Sequence, residues 1–586
     1  MSYYDDSSLF FSPNGYKASV LFAQKPMDAN GQLTFTRASS ATRVQSDGLI
    51  EKVRTNLVLQ SQTFQTTWGP VNASVSADAT TAPDSTLSAD KLVAAVAGGI
   101  SDQHRIDQTP TTAAGNNTFS VYAKKGELEF IFLRIGLVGA YFNLNNGASS
   151  SISAGIIATS VDAGNGWYRL IITKAAATAN EVLRINLATS SGVNNFIGNG
   201  TDGAFIWGAQ YELNDIATGY IPTTTAAVSV GPVSGLPRLD YLNSTCPRLL
   251  LEPQRTNLFT FSEQFDNAVW SKTSVSISAN TTTSPDGTAN ADKLISNAVS
   301  GFHSLSFSVG SKLASTAYSF SFYAKAGEIG YCLPNFNSSF SGTQLAALVN
   351  LTTGAVTDVS AGLTATTQNV GNGWYRVVLT ATSAANTSAF IATINTTNAA
   401  GSLNFTGDGT SGVFIYGAQL ESSASYATSY IPTLGASVTR VADVASKTGI
   451  SSLLGGTQGT WFLEMKYQPI SSSTVSTMFV TGTSTIGLAS SGVNTLRVRI
   501  NAVNDIIGSV NPTIRHKIAI SFDATGVVCF FNGNQITLPN GASQVVSGLD
   551  SLSLETGTRH NEVDIYQMLY FPTRLTNAQL SQLTTL

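Results

Sequence analysis

The chain has 586 residues, only 11% of them Asp, Glu, Lys or Arg, and a net charge of −4, whereas ordinary soluble proteins carry roughly 25% charged residues. So few cations exclude a nucleic-acid groove, which needs clustered Lys and Arg against phosphates, and a polybasic membrane-binding surface. The 42% hydrophobic and 9% aromatic residues suffice for packed cores and argue against disorder, yet no apolar run approaches the ~18–20 residues of a membrane span.

In chain order, the opening Met1-Ser2-Tyr3-Tyr4-Asp5-Asp6 has no basic stretch followed by an apolar one, so no signal peptide is expected. From residue 54 the sequence repeats itself about 200 residues later. Arg54-Thr55-Asn56-Leu57 returns as Arg255-Thr256-Asn257-Leu258, and Ala89-Asp90-Lys91-Leu92 as Ala291-Asp292-Lys293-Leu294. Tyr122-Ala123-Lys124 returns as Tyr323-Ala324-Lys325, and Gly164-Asn165-Gly166-Trp167-Tyr168-Arg169 as Gly371-Asn372-Gly373-Trp374-Tyr375-Arg376. Gly208-Ala209-Gln210 with Glu212, and Tyr220-Ile221-Pro222-Thr223, return as Gly417-Ala418-Gln419 with Glu421, and Tyr430-Ile431-Pro432-Thr433. The order is kept throughout, so two homologous domains are expected, at 54–223 and 255–445. The stretch between them, 224–254, holds Pro232, Pro237, Pro247 and Pro253. Proline fixes φ and removes a donor, so an extended linker packed on its neighbours is expected.

Within the repeats apolar residues alternate with small polar ones. Tyr318, Phe320 and Phe322 alternate with Ser319 and Ser321, and Tyr375, Val377 and Leu379 follow a Gly-Asn-Gly turn. This is the period of a strand with one buried face. Short strands divided by Gly, Asn, Ser and Thr clusters imply an all-β chain of tandem antiparallel β-sandwich (jelly-roll) modules. Residues 446–586 form a further β-sandwich. There Ile518, Ile520 and Phe522 alternate, Val527 to Phe531 meets the hairpin signal Asn532-Gly533, and Thr576-Asn577-Ala578-Gln579 predicts a capping box on a short helix with Leu580 and Leu583 on one face.

Two resemblances arise at these residues. Leu251-Glu252-Pro253-Gln254-Arg255-Thr256-Asn257-Leu258, Ser262-Glu263-Gln264-Phe265-Asp266 with Trp270, and the paired motifs above resemble the modules of bacteriophage fibre and adhesin-like virion proteins. Phe35-Thr36-Arg37, Ala41-Thr42-Arg43-Val44 and Gly48-Leu49-Ile50-Glu51 resemble the segment that precedes such modules. The modules in turn look like jelly-roll carbohydrate-binding modules. The tail resembles concanavalin A/laminin G-like lectin domains, through Trp461-Phe462, His516-Lys517-Ile518, Asn532-Gly533 and Tyr570-Phe571-Pro572. The resemblance implies a tail or head fibre on the virion surface, made in the bacterial host cytoplasm and adhering to host-surface or mucosal glycans. Residues 1–53 would attach it to other virion proteins, and a homo-oligomer, a trimer by analogy, is implied. No heptad run or Gly-X-Y shaft is present, so such a trimer would form through the β domains or the N-terminal segment.

Sugar C–H faces stack on aromatic rings. The matched tryptophans Trp68/Trp270 and Trp167/Trp374 are therefore glycan-contact candidates, against the alternative that ring-bearing strand residues are core. His104 and His303 occupy near-equivalent positions and are candidates for polar ligand contact or for shared framework roles. A glycosidase needs two carboxylates within about 5–10 Å. The duplicated acids Asp90/Asp292, Glu127/Glu328 and Glu212/Glu421 suggest structural or surface roles, because one active site needs no second copy. Four histidines, His104, His303, His516 and His560, lie near no Gly-x-Ser-x-Gly elbow. The chain is thus expected to be non-enzymatic, without cofactor or metal, and without nucleic-acid or membrane partners. The alternatives are a purely structural decoration protein and, third, a polysaccharide depolymerase. Cys246, Cys332 and Cys529 fit neither a disulfide framework nor a zinc spacing and are expected to be buried thiols.

Overall fold

Side chains alternate across a strand, so each period-two segment needs a partner layer to cover its apolar face. The computed structural model meets this need with antiparallel sheets, and it describes residues 3–96, 102–398, 401–468, 475–490, 495–555 and 562–586. The chain divides into two units, 53–231 and 1–52 together with 232–586.

The first unit is repeat 1, two antiparallel six-stranded sheets. One runs Ile156–Gly164, Trp167–Ala177, Gly115–Lys125, Gly203–Glu212, Leu87–Ala94, Ala73–Thr81. The other runs Ser149–Ser150, Val138–Asn143, Phe130–Ile135, Leu183–Ala188, Arg105–Gln108, Gly69–Val71. Phe119, Val121, Leu170 and Ile206 of the first sheet pack with Ile106, Ile131, Leu133 and Ile185 of the second, all fully buried. Burying each such side chain stabilises by about 1.5–3 kcal/mol. A two-stranded ribbon, Arg54–Asn56 with Val228–Val230, joins the beginning and end of the unit.

Repeat 2 lies in the other unit and has the same order of strands. Its first sheet runs Val275–Thr282, Ala291–Ser296, Gly412–Ser422, Ala317–Ala326, Trp374–Thr382, Leu363–Asn369. Its second sheet runs Trp270–Thr273, Ser304–Ser311, Ala389–Thr396, Tyr331–Phe336, Leu348–Asn350, Val356–Thr357. The alternating Phe320 and Phe322 are buried as their period requires.

The same unit contains a C-terminal sandwich, and here the sequence-based boundaries need correction. Residues 1–53 and 224–254 were expected to be an attachment segment and a linker. Instead Leu9–Phe11 and Arg248–Leu251 both pair with Glu562–Phe571, with Leu9 opposite Tyr570 and Leu249 opposite Ile565. Leu33–Thr36 pairs with Val444–Lys447 in the opposite, nine-stranded sheet. The physical reason is edge satisfaction. These short segments supply backbone partners and apolar residues to sheets whose other strands lie hundreds of residues away. Leu9, Phe11, Leu21, Phe35, Leu249 and Leu251 are buried in one core with Trp461, Ile520 and Ile565.

The local predictions in this sandwich hold. Asn532 and Gly533, both at positive φ, turn Gly526–Phe531 into Asn534–Ile536. Thr576 and Gln579 form the capping box of Asn577–Thr584, and Leu580 is buried. A buried ion network fastens the junction of the N-terminal segment, the former linker and repeat 2. Arg238 pairs with Glu252 at 2.5 Å and with Asp443, Arg37 with Asp443 at 3.0 Å, and Arg440 with Glu252 at 2.9 Å. The motifs around Arg37 and Glu252 thus serve the framework.

Candidate functional site

The six residues singled out as glycan contacts are all buried, and this corrects that expectation. Trp68 is 2% exposed, Trp167, Trp270 and Trp374 are each 1%, and His104 and His303 are 0%. An indole in a sandwich core needs a partner for its N–H, and each finds a backbone carbonyl. Trp68 donates to Gln60 at 3.3 Å and Trp270 to Phe261 at 2.8 Å, while Trp167 donates to Thr81 at 3.2 Å and Trp374 to Thr283 at 3.1 Å. No ring face is left for a sugar.

The histidines hold loops. His104 places Nδ1 at 2.5 Å from the Asn72 carbonyl and Nε2 at 2.8 Å from that of Phe196. His303 repeats this on Ser274 at 2.7 Å and Phe405 at 3.1 Å, with its ring centroid 4.4 Å from that of Phe405. His516 is also buried, against Asn511 and Asn532. His560 lies outside the described residues.

The other duplicated motifs form one buried polar network per repeat. Asn56 donates to Ala209 and Ile221 and accepts from Val58 and Tyr211. Asn257 does the same with Ala418, Ile431, Phe259 and Leu420. Arg169 and Arg376 donate to Ser120 and Ser321, and to the carbonyls of Thr218 and Thr428. Asp90 accepts from the backbone of Phe64 and Asp78, and Asp292 from Phe265 and Asn280. Buried polar groups must be paired, so these motifs are paired because the fold requires them twice.

Positions where the repeats differ are more informative. In repeat 2, Lys52 reaches Glu263 at 2.9 Å and Asp286 at 2.7 Å and lies 5.5 Å from the Tyr416 ring centroid. Burial alone would raise the Asp286 carboxyl, but the Lys52 ammonium outweighs it and holds the group well below its ordinary value. Ile50 packs beside Trp374, Tyr416 and Tyr430. Repeat 1 carries Gln62 for Glu263 and Trp207 for Tyr416. Trp207 is 4% exposed, donates to Ser88 and packs 4.7 Å from Tyr220, so it covers its own cluster.

Further differences fall around a cleft of repeat 2. Repeat 2 has an open cleft of about 420 Å³ whose lining includes Glu328, Tyr331, Asn398, Phe405, Asp408 and Ser411. That volume falls in the range of about 300–1,000 Å³ typical of small-molecule sites. Its floor follows from close approach. Gly407 passes the end of the Ala291–Ser296 strand so tightly that a Cβ would lie 2.2 Å from the Asn297 carbonyl oxygen, as Gly198 passes Ala95 in repeat 1. His303 holds Phe405 from beneath, which makes it a positioning residue rather than a contact. Tyr331 is half-buried and accepts from Asn350 at 3.1 Å.

Two carboxylates stand at this cleft. Glu328 accepts from Lys293 at 2.9 Å and from the Gly412 N–H at 3.2 Å, and the Lys293 bond lowers its pKa. Asp408 accepts from the Ser411 hydroxyl at 2.5 Å and from the backbone of Thr410 and Ser411, bonds that hold it well below the ordinary carboxyl range. Both are therefore acceptor-only at neutral pH. Repeat 1 has Glu129 for Gly330, Phe130 for Tyr331 and Asn199 for Asp408, and Glu129 is drawn to Lys125 at 2.5 Å. The unpaired character of Gly330 and Asp408 is the signal that sequence comparison within the chain offered, since motif matching selects only what is shared.

Among the described residues no group of three or more His, Cys, Asp or Glu is placed to hold a metal, and no helix is long and apolar enough to cross a membrane. Cys332 and Cys529 are buried, and burial pushes the Cys529 thiol up to about 12; Cys246 is exposed, against expectation.

No family model matches this chain, and no curated protein matches it in sequence. Solved structures similar to it include the binding domain of botulinum neurotoxin DC in complex with rat synaptotagmin II, at 12% identity and TM-score 0.20, covering 24% of this chain and 39% of that one. Another is the Ruminococcus gnavus IT-sialidase CBM40 bound to α2,3-sialyllactose, at 14% identity and TM-score 0.19, covering 23% and 86%. A third is the Trypanosoma rangeli sialidase in complex with the inhibitor DANA, at 9% identity and TM-score 0.21, covering 94% and 98%. This last match, to an enzyme along nearly the whole chain, overturns the expectation of a non-enzymatic protein, which is withdrawn. At a TM-score of 0.21 it assigns no reaction and no catalytic residue to this chain.

Proposed function

We propose that this chain is a virion-surface adhesion protein of a bacteriophage, a tail or head fibre, that binds host-surface or mucosal glycans through the cleft of its second repeat. The observation that carries the binding half is the cleft itself. It offers two aromatic edges, Tyr331 and Phe405, beside the polar groups of Asn398, Asp408 and Glu328, the mixture that an amphipathic sugar ring requires. The virion half rests on the resemblance of the paired motifs to phage fibre modules. Because strands within residues 3–52 belong to the same unit as the C-terminal sandwich, attachment to other virion proteins would use outward side chains of that segment, such as Met27, 83% exposed. A trimer would likewise use outer surfaces of the sandwiches.

Glycan-array binding by the full chain, repeated with Tyr331→Ala, tests the first half. Loss of signal in the variant is expected, and absence of any glycan binding by the unaltered chain sinks the proposal. Electron micrographs of antibody-labelled particles test the second, with copies expected on the virion surface.

A further inference from the structure

The acids at the repeat-2 cleft do more than supply acceptors. Among its lining residues none is Lys or Arg, while Glu328 and Asp408 both face it. Lys293, outside that lining, is spent on Glu328 at 2.7 Å. Counting Lys293 as +1 and the two carboxylates as −2 leaves the rim at −1. Neither carboxylate offers a donor, so a ligand must bring its own, as hydroxyls or an ammonium. Ser411 and the Thr410 backbone already donate to Asp408, and they position its oxygens rather than free them for a ligand anion. A carboxylate on the sugar would meet like charge without a compensating cation, an arrangement that selects against such partners.

Resting on the reading of this cleft as a glycan site, we infer that its ligand is a non-acidic sugar, a neutral hexose or a hexosamine, and that the site rejects sialic and uronic acids. The ring would enter with its apolar face toward Phe405 and Tyr331 and its hydroxyl or ammonium donors toward Asp408 and Glu328.

The test is an array of neutral, amino and sialylated or uronic oligosaccharides probed with the full chain, followed by titration of the best hit and of its sialylated counterpart. Neutral or amino sugars should bind, and the sialylated counterpart should bind at least ~10-fold more weakly, less so at high salt. The double variant Glu328→Gln, Asp408→Asn frees Lys293 and turns the rim from −1 to +1, so it should narrow or reverse this preference. Both side chains are exposed, and an unchanged melting temperature would confirm that the variant is folded. Acidic glycans binding as tightly as neutral ones, or a preference that the double variant leaves unmoved, overturns the inference. Binding to no glycan of any class overturns the glycan reading itself, and this inference with it.

Discussion

Repeat 1 and repeat 2 share a strand order, a buried Asn-Arg-Asp network and a pair of loop-holding histidines, yet they differ around the repeat-2 cleft and around Lys52. Gly330, Tyr331 and Asp408 in one copy are Glu129, Phe130 and Asn199 in the other. Glu263 and Tyr416, which receive Lys52, are Gln62 and Trp207. Duplication therefore preserves the buried network, and of the cleft residues it keeps Glu328 and Phe405, as Glu127 and Phe196, while changing Gly330, Tyr331 and Asp408. In a chain built from copies, the mismatches within an otherwise shared cleft lining show where the two copies would differ in binding.

The largest effect should come from breaking a shared element. Asn257→Ala removes a fully buried amide that serves two carbonyls and two N–H groups. Each group left unsatisfied costs about 1–3 kcal/mol, so the loss should reach at least ~3 kcal/mol. Asn56→Ala should do the same in repeat 1. Chemical denaturation followed by repeat-specific hydrogen exchange measures both, and similar losses in the two repeats would support a common framework.

Next is an element found only in repeat 2. Lys52→Met leaves Glu263 and Asp286 without their ammonium, and breaking such a pair costs about 3–5 kcal/mol when fully buried, somewhat less here. The pH dependence has a definite sign. Asp286 is depressed in the folded state from an ordinary value of 3.8. It therefore contributes stability that is present above about pH 4 and is lost as the pH falls below it. The unaltered chain should lose stability on acidification in this window, and Lys52→Met should show a shallower loss. Melting temperatures between pH 3 and pH 6 give the comparison. In repeat 1 the matching Asp84 bonds Thr86, and Gln62 stands for Glu263, so Trp207→Tyr should leave the acid dependence of its own unit unchanged.

The smallest structural effect should accompany a large functional one. Gly330→Glu copies repeat 1 into the cleft. The nearest atom to a Cβ at this position is the Thr352 hydroxyl at 3.3 Å, the tip of a movable side chain, so stability should change by under ~1 kcal/mol, while sugar binding should be lost.

Much of the fold was legible in the sequence because its signals are local. Period-two alternation marked Phe320 and Phe322, Asn532-Gly533 marked a hairpin through its tolerance of positive φ, and Thr576 with Gln579 marked a cap. Pairings such as Leu9 with Tyr570 were not legible. A three-residue strand has too little periodicity to register, and its partner is fixed by a core assembled from distant segments. The candidate site was illegible for a related reason. Residues 328, 331, 398, 405 and 408 come together only when several strands and loops of repeat 2 are in place. Trp167, Trp374 and their kin drew attention because they recur, and they recur because they are core.

The measurement that bears most directly on this account is calorimetric titration of the full chain and of Gly330→Glu with the strongest non-acidic sugar from the array. Binding to the unaltered chain and none to the folded variant is the expected result. Equal binding by both would contradict it, because the sugar would then be held somewhere other than the repeat-2 cleft.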